Sequence, residues 1–478
     1  MRRTLIACAI VLTVSGCMVG PDYKRPAVDV PQTWRYEDKE AREVANTAWW
    51  EQFNDSVLNE LIEIALKDNK DVMIASARIE QFVGQMVTTR APLFPQMSAG
   101  GDMGRQRVSE LTGPSPLQNS RTAHPTYNTY EVFLNVSWEI DLWGKVRRAT
   151  EAARANILST EEARRSIILT LVASVATSYV NLRDLDKQLD LTRVTAKSYK
   201  ETYDLFKLRF EHGIVSEIEV SQAKSQYEQA MSNIPFFEKA IAQQENALSI
   251  LLGRNPGPIP RGEAIDELTL PAVPAGLPSA LLINRPDIRQ VEQNLIAANA
   301  NIGAAKAQYY PSISLTTMFG YASSDISRWF TGPGMMAGLA GSLLAPIFTG
   351  GAISGQVKAT KAVQQQSLIR YQQVIQTAFQ EVDDALVDQQ RTREQLASLA
   401  RQVESLRDYV RLARLRYDNG YTSYLEVLYA ESILYNAQLK LTDVQGTLFK
   451  ALVNLYKSMG GGLVVVADKM TGQEVAEE

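Results

Sequence analysis

The amino-acid sequence predicts a mainly α protein with a membrane β part, built from an internal tandem repeat. Three observations predict this fold class: two distant stretches that match each other, two runs of more than 60 residues without proline or glycine, and short segments of alternating apolar and polar residues. The chain has 478 residues and a formal net charge of −4. That balance lacks the basic excess of a nucleic-acid-binding protein, so no nucleic-acid partner is expected.

The N-terminus has the pattern of a bacterial signal peptide, which we predict for residues 1–16. A short basic region precedes an apolar stretch at 5–14, and small residues then lead to Cys17. This spacing predicts a lipobox, with Cys17 as the acylated first residue of the processed chain; an ordinary secretory signal with an incidental cysteine is the alternative. Cleavage also removes Cys8, so no intramolecular disulfide is expected. Met18, rather than Asp, favours sorting to the outer membrane.

Two pairs of segments reveal the duplication. Residues 69–104 align with 285–320 without a gap at an offset of 216, and 205–220 align with 412–427 at an offset of 207, with seven identities in sixteen positions. A proline-rich stretch separates the two copies. We therefore predict these segments: 17–46 as a lipidated N-terminal segment, 47–253 as the first repeat, 254–278 as a linker, 279–460 as the second repeat and 461–478 as a tail.

Each repeat begins with helical spacing and then changes to a period of two. In the first repeat, helical spacing at Leu58, Leu61 and Ile62 predicts a helix, whose continuation ends before Pro95. Residues 130–141 then alternate between apolar and polar, and only Phe133 breaks the rule. About ten such residues form a membrane-spanning β-strand. Weaker strands are predicted at 313–321, 335–343 and 97–106.

The strands form one pair per repeat, with predicted outer loops at Gly113-Pro114 and Gly332-Pro333. A soluble hairpin packed on helices is the alternative. One chain supplies four strands, whereas a closed barrel needs about eight, and open strand edges are not stable in lipid. The barrel must therefore be shared between chains. Two chains would give eight strands and three would give twelve, and the strand count alone does not choose between them.

A long helix follows each strand pair. Residues 145–212 and 356–419 contain neither proline nor glycine, and about 65 residues form a rod of about 100 Å. Apolar residues in the second rod recur every 3.5 residues, which is typical of supercoiled packing. Gly213 and Gly420 are predicted to end the rods as left-handed caps before a return helix.

Several short motifs resemble the TolC family of outer-membrane efflux ducts, in its lipidated branch that serves RND-type pumps. The resemblance covers nearly the whole processed chain and is carried by Trp49-Trp50-Glu51-Gln52-Phe53-Asn54-Asp55, Leu251-Leu252-Gly253, Arg285-Pro286-Asp287-Ile288, Ala304–Pro311 and Arg416-Tyr417-Asp418-Asn419-Gly420. It implies a homotrimer with a 12-strand β-barrel in the outer membrane, continuous with a 12-helix periplasmic α-barrel. It also implies a periplasmic adaptor, an inner-membrane pump, and diacylglycerol and N-palmitoyl groups on Cys17.

The resemblance further implies a gate at the periplasmic helix tips, opened by an iris-like movement. Mapped from the turn glycines, the gate residues are Glu219 in the first repeat and Leu425, Glu426 and Tyr429 in the second. In a trimer the two acids would supply six carboxylates near the axis and repel one another. The alternative is that both acids simply stabilise the start of a helix.

No enzymatic or metal chemistry is indicated. The sequence has two histidines, His124 beside a proline and His212 beside a capping glycine, and both are interpreted as solvated. No nucleophile elbow, Walker A loop or HExxH motif occurs, so no cofactor is expected and the energy for transport must come from a partner. A trimeric coiled-coil adhesin and a lipid-anchored periplasmic enzyme are the alternatives. The adhesin would place strands at one terminus only, and the enzyme needs a polar constellation that is not found.

Overall fold

The computed structural model describes residues 18–36, 48–107, 109, 126–274 and 278–461. The predicted signal peptide, Cys17, the Gly113-Pro114 loop, His124 and nearly all of the predicted tail lie outside the described residues. The helices and strands are α1 Ser56–Asp68, α2 Lys70–Arg90, β1 Gln96–Arg107, β2 Thr126–Ile140, α3 Lys145–Glu211, α4 Glu217–Leu251, α5 Leu281–Asn284, α6 Pro286–Ala307, β3 Ser312–Ser323, β4 Met335–Leu344, α7 Ala352–Asp418 and α8 Tyr424–Ser458.

The chain divides into two compact units, which we call the sheet unit and the helical unit. The sheet unit comprises Met1–Pro26, Ile79–Ser159 and Glu292–Arg370, and the helical unit comprises Ala27–Arg78, Thr160–Val291 and Tyr371–Glu478. Both repeats contribute to each unit. The two long helices, α3 and α7, have 67 residues each, and the two return helices, α4 and α8, have 35 each.

The sheet unit contains one four-stranded antiparallel sheet in the order β1-β2-β3-β4. All four predicted strands are confirmed, and β2 also pairs with β3, which joins the strand pairs of the two repeats. The apolar residues of β2 share one face, and Phe133 lies with the polar residues on the other. Phe133 is opposite Gly100 on β1 and Gly320 on β3. The missing side chains at both glycines leave room for the ring on this face.

The core of the helical unit is aromatic and collects residues from distant parts of the chain. Trp49 stacks on Tyr456 with ring centroids 5.3 Å apart, and Phe53 lies 5.7 Å from Phe449. Beside this core the buried carboxylate of Asp55 accepts hydrogen bonds from the Tyr179 hydroxyl (2.7 Å) and from the first backbone N–H groups of α1. These contacts fix the segment before α1 against α3.

Both long helices are confirmed, with small differences at their ends. Helix α7 begins at Ala352, four residues before the predicted start, and runs through Gly355. Nothing lies within 4 Å of a Cβ built on Gly355, so this glycine is tolerated because the helix surface is open there. The return helix α4 likewise continues through Pro235, although proline removes one helical hydrogen bond.

The apolar stripe predicted along α7 is buried in its first half. Tyr371, Ile375, Ala378 and Val382 are each at most 1% exposed. Helix α3 contains the one window of the described chain that is apolar and long enough to cross a membrane, with a mean hydropathy of 1.3. Slightly more than half of that window, 56%, is buried inside the chain. Residues of α3 between positions 168 and 182 belong to the aromatic core of the helical unit, as is typical of a core helix.

Candidate functional site

The two helical hairpins reverse direction through matching turns. Gly213 has φ +70° and Gly420 has φ +74°, both in the left-handed region that favours glycine. After each glycine a backbone N–H reaches back to close the turn, from Ile214 to the Arg209 carbonyl and from Tyr421 to the Arg416 carbonyl, both at 2.9 Å. These are Schellman caps, which satisfy the last carbonyls of each rod.

Glu219 caps the helix that follows the first turn. The backbone N–H of Ser216 donates to the Glu219 carboxylate at 2.8 Å, and the Ser216 hydroxyl lies 3.2 Å from the same oxygen. Serine at the N-cap and glutamate three residues later form a capping box. Within the chain, Glu219 therefore stabilises the start of α4, as the alternative interpretation expected.

Glu426, at the matching position of the second repeat, has different partners. It forms an ion pair with Arg416 at 3.1 Å and accepts a short hydrogen bond from the Thr422 hydroxyl. The position of Thr422 is occupied by Val215 in the first repeat, and valine has no hydroxyl to offer. The same acid in two aligned positions thus acts as a cap in one hairpin and as an ion-pair partner in the other.

Leu425 and Tyr429 lie one helical turn apart at the start of α8, where they are 57% and 60% exposed. Val427 and Leu428, between them in sequence, point the other way into a small apolar core of the tip. Ile218, which the repeat aligns with Leu425, is also exposed. The tips therefore present large apolar side chains that nothing in the described chain covers.

A cluster of three aromatic residues joins the two hairpins, and the sequence analysis missed it. Phe206 on α3 lies 4.2 Å from Tyr424 and 6.3 Å from Tyr417, measured between ring centroids. Burial raises the pKa of Tyr417, Arg209 lowers it, and Glu219 raises it. Tyr417, Arg209 and Glu219 therefore lie close together across the hairpins. Tyr417 is matched by Phe210 before the first turn glycine, but Phe206 and Tyr424 are matched by Ala413 and Glu217, so the repeat gave no signal for the cluster.

A polar network lies further along the same hairpins. Arg414 donates to the buried carboxylate of Glu431 from Nε (2.8 Å) and from Nη2 (2.5 Å). The Tyr435 hydroxyl lies 2.9 Å from the Thr192 hydroxyl on α3. Burial raises the pKa of Tyr424, and Glu431 raises it further. The carboxylate charge is thus held inside the bundle by one arginine.

The four-stranded sheet ends in two unpaired edges. Within the described residues β1 pairs only with β2, and β4 pairs only with β3. The apolar face continues onto both edges, where Leu339 on β4 is 79% exposed and Met103 on β1 is 68% exposed. Aromatic side chains cluster at one end of the sheet, including Tyr130 with Trp329 and Tyr321 with Phe330. Aromatic girdles of this kind mark the interfaces of a membrane with water.

The first described residues, 18–26, pack along the sheet unit, and we call them the N-terminal strap. The Val19 N–H donates to the Trp143 carbonyl, three residues after β2, at 3.1 Å. Gly20 approaches α6 so closely that a Cβ on it would lie 2.4 Å from the Gly303 Cα. The strap therefore fixes the chain near the end of β2, two residues after Cys17, which lies outside the described residues.

The described residues offer no group of three histidine, cysteine or acidic side chains placed to hold a metal ion. His212 is exposed at the end of its rod.

Comparison with known proteins identifies the class of protein that this fold and these tips define. The model of the family described as outer membrane efflux protein matches residues 61–254 and 277–461, which is most of the chain in two consecutive copies. The chain belongs to this family of outer-membrane channel proteins.

Individual relatives agree along nearly the full length. TtgC of Pseudomonas putida, a probable efflux pump outer membrane protein, is 37% identical over 472 residues, or 97% of this chain and 96% of TtgC. CusC of Escherichia coli K12, a cation efflux system protein, is 34% identical over 96% of this chain and 99% of its own length.

Solved structures share the fold. A crystal structure of CusC matches with a TM-score of 0.84 at 35% identity, covering 93% of this chain and all of CusC. The open state of the MtrE outer membrane channel from Neisseria gonorrhoeae matches with a TM-score of 0.83 at 31% identity, covering 94% of this chain and 99% of MtrE. The fold is thus the TolC-like outer-membrane channel fold that the sequence motifs predicted, and the protein resides in the outer membrane.

Proposed function

We propose that this protein is the passive outer-membrane duct of a tripartite efflux pump. It receives substrates from an inner-membrane RND-type transporter through a periplasmic adaptor and releases them outside the cell. The open-edged sheet with its apolar outer face is the observation that carries the proposal, because such a sheet needs both lipid and a partner to be stable. The family match and the full-length relatives support the same conclusion.

The duct is a homotrimer with a twelve-strand barrel. Each chain supplies four strands, and closing the barrel satisfies the edge backbone groups that lipid cannot. Eight strands leave an interior just wide enough for side chains, so a conducting lumen favours twelve strands over eight. The polar face of the sheet, where Asp102 lies opposite Glu131 and Ser98 lies opposite Asn135, then lines the lumen.

The protein is also a lipoprotein, with diacylglycerol and an N-palmitoyl group on Cys17. The strap supports this assignment, because Val19 is bonded to the chain just after a membrane strand ends. A lipid chain attached two residues before Val19 can then enter the membrane leaflet at which that strand ends. Mass spectrometry of the purified protein should find an acylated Cys17, and Cys17→Ala should lose the lipid. An unmodified wild-type Cys17 would disprove the anchor.

The duct is gated at the periplasmic tips by Leu425 and Tyr429, with Glu219 and Glu426 setting its response to cations. The exposure of the two apolar residues supports this division, because they are free to meet their copies on a threefold axis. The two acids already have partners within the chain. Their residual charge near the axis is expected to attract cations without closing the pore by itself.

Single-channel conductance in planar bilayers tests the function and the gate together. Leu425→Ala combined with Tyr429→Ala should raise the resting conductance, because bulk is removed from the constriction. Glutamine can also serve in a capping box, so Glu219→Gln removes charge while keeping the cap. Glu219→Gln combined with Glu426→Gln should weaken block by added divalent cations and leave the resting conductance nearly unchanged.

The matched control is Leu412→Ala combined with Leu415→Ala, which truncates two exposed leucines just before the turn rather than after it. These substitutions should leave the resting conductance unchanged. If none of the four gate substitutions alters the conductance or its dependence on cations, the constriction lies elsewhere. If the wild-type protein forms no channel under any condition, the duct proposal itself is wrong.

A further inference from the structure

We propose that the polar face of the sheet holds a binding site for organic cations that carry an aromatic group. Phe133 and Met336 contact the aromatic group, and the carboxylates of Asp102 and Glu131 attract the positive charge. The proposal rests on the proposed duct, in which this face lines the lumen. It adds a site inside the lumen and the chemical class of molecule that the site binds.

One row across the polar face contains no polar side chain. The register places Gly100 on β1 opposite Phe133 on β2. On the other side of β2, Gly320 on β3 lies between Phe133 and Met336 on β4. The two neighbouring rows carry carboxylate, amide and hydroxyl groups, so this row is an apolar strip on a polar wall. A thioether beside an aromatic ring is a surface that adapts to apolar ligands of different shapes.

The ring of Phe133 lies over β1, where glycine leaves space for it. A Cβ on Gly100 would lie 2.8 Å from the Cζ atom of this ring. Covering a glycine on an edge strand is one role of an aromatic residue, and a leucine side chain would also cover it. Phe133 nevertheless remains partly exposed on the sheet. Its uncovered surface is therefore available for stacking with an aromatic group in the lumen.

Two carboxylates lie in the next row, toward the end of the sheet where the aromatic side chains cluster. Asp102 on β1 is directly opposite Glu131 on β2, and like charges in this position repel each other. The described strands contain two basic residues, Arg105 and Arg107, and both lie an odd number of residues from Asp102, on the opposite face. A cation bound beside the two carboxylates reduces their repulsion, so the charge of this row favours a positive ligand.

The apolar row and the carboxylate row are close enough to bind one small molecule together. Successive residues on one face of a strand are about 7 Å apart, which suits a ligand whose charge is attached directly to a benzyl group. Phe133 is the central residue of β2, which spans Thr126–Ile140. In the proposed trimer, three copies of the site therefore form a ring halfway along the barrel. Binding at such a ring must be weak enough for the molecule to leave again.

Block of the single-channel current in planar bilayers by three probes tests the site in the full-length protein. Benzyltrimethylammonium has the ring and the positive charge, tetramethylammonium has the charge alone, and phenylacetate has the ring with a negative charge. In the wild-type channel, benzyltrimethylammonium should block at a concentration about three- to tenfold lower than tetramethylammonium, because it adds one aromatic stacking contact. Phenylacetate should not block over the same range of concentrations.

Substitutions separate the contribution of the ring from that of the charge. Phe133→Leu still covers Gly100 but removes the aromatic face, so the ratio of the two blocking concentrations should fall below about twofold, whereas Phe133→Tyr should preserve it. Asn135→Ser, two residues along the same face, is the matched control and should leave the ratio unchanged. Asp102→Asn combined with Glu131→Gln should raise both blocking concentrations by a similar factor and also leave the ratio unchanged.

Saturation-transfer NMR of the protein in detergent detects the same contact without a current. The ring protons of benzyltrimethylammonium should receive more saturation from the wild type and from Phe133→Tyr than from Phe133→Leu. The helix tips are identical in all these variants, so any block at the tips cancels from the comparison.

The outcomes distinguish the site from the duct. A wild-type ratio near one, or an unchanged ratio in Phe133→Leu, would overturn the aromatic site while leaving the duct intact. Block by phenylacetate as strong as that by benzyltrimethylammonium would overturn the preference for cations. A wild-type protein that forms no channel would refute the duct, and the NMR difference between Phe133→Tyr and Phe133→Leu would then decide the site by itself.

Discussion

Gly20 and Gly303 bring two distant segments of backbone into direct contact. Gly20 has φ +117°, and a Cβ on it would lie 2.4 Å from the Gly303 Cα. A Cβ on Gly303 would in turn lie 2.6 Å from the Val19 carbonyl oxygen. Neither neighbour is a flexible side-chain end that could swing away. The contact therefore depends on the absence of both side chains, and it sets how closely the N-terminal strap can approach α6.

Gly303→Ala should loosen the strap. Overpacking of this kind costs about 1–3 kcal/mol, although alanine by itself favours a helix over glycine. The thermal unfolding midpoint should fall, and trypsin should cleave faster after Lys24. Gly84→Ala is the control, since Gly84 is also inside a helix but has nothing within 4 Å of its added Cβ. That variant should gain about 0.5–1 kcal/mol. If the two variants show the same thermal unfolding midpoint and the same rate of tryptic cleavage, the strap is not held by this contact.

Asp184 is an acid buried in the helical unit, where it faces α8 at Gly446. Burial raises its pKa above the ordinary value, while the Gln188 amide and the nearby Lys450 and Lys440 lower it and Asp443 raises it. A raised pKa in the folded state means that ionisation disfavours folding. The contribution of Asp184 to stability is therefore greatest below its ordinary pKa and is lost as the pH rises through the folded-state pKa.

Asp184→Asn should thus stabilise the protein near neutral pH, and its advantage should shrink in acid. The comparison of thermal midpoints at about pH 4 and about pH 7.5 measures this difference. Asp190→Asn, at an exposed position of the same helix, should change neither midpoint appreciably. A constant difference between variant and wild type at both pH values would rule out a titrating Asp184.

At the residue scale, the sequence predicted where a residue lies in the fold better than it predicted which residues that side chain contacts. Phe133 was the one exception to the alternation of β2, and its reason lies in glycines on two other strands, which only the register reveals. Glu219 and Glu426 were placed correctly after their turns, but their different partners depend on Val215 and Thr422 and on side-chain geometry.

At the scale of elements, the second hairpin depends on one buried charge. The Glu431 residue is 8% exposed, and one of its carboxylate oxygens has no hydrogen-bond donor within the described chain. Arg414 satisfies the other oxygen from the neighbouring helix α7. The pair thus ties α7 to α8 above the tip, and removing the arginine leaves a buried charge uncompensated.

Arg414→Met should destabilise the hairpin by about 2 kcal/mol, a discounted value because Arg414 is itself half exposed. Adding Glu431→Gln should recover much of the loss, since the unpaired charge then disappears. Thermal unfolding and hydrogen exchange of the tip helices measure both effects. Arg411→Met, which breaks an exposed pair with Asp408 on the same helix, should cost at most about 0.5 kcal/mol. A similar loss in both arginine variants would contradict the role of burial.

The long helices were predictable because nothing in their sequence interrupts them. Lys145–His212 was predicted and Lys145–Glu211 is observed, since the turn glycine ends the rod by a local rule. The start of α7 was predicted four residues too late, because the run without glycine begins only at residue 356, whereas the open surface around Gly355 lets the helix begin at Ala352. A helix end that is set by a nearby residue, such as a turn glycine, can therefore be predicted from the sequence.

At the scale of the whole molecule, the sequence predicted four strands and a need for other chains. The pairing of β2 with β3 across the two repeats was not predicted, because strand order depends on how the long helices bring the hairpins together. Periodicity along a single strand carries no information about its neighbour. The resemblance to known ducts gave the expectation of a trimer with twelve strands, but not this pairing.

Cross-linking in mild detergent should trap three chains and no more. The expected ladder has monomer, dimer and trimer bands, because only closure satisfies both sheet edges. Native mass spectrometry provides an independent count. A stable dimer, with eight strands and a filled lumen, would contradict the trimer, and so would a monomer that keeps its full strand content.

The equal lengths of the two hairpins restrict how this protein can change in evolution. Each rod has 67 residues and each return helix 35, and the tips meet through Phe206 and Tyr424. Deleting two turns, about seven residues, from α3 alone would withdraw its tip by about 10 Å and separate these two rings. A shorter duct therefore requires matching deletions in all four helices. Among natural variants, insertions and deletions in these helices should be found in coordinated sets of four, and a chain with one altered rod should lack a joined tip.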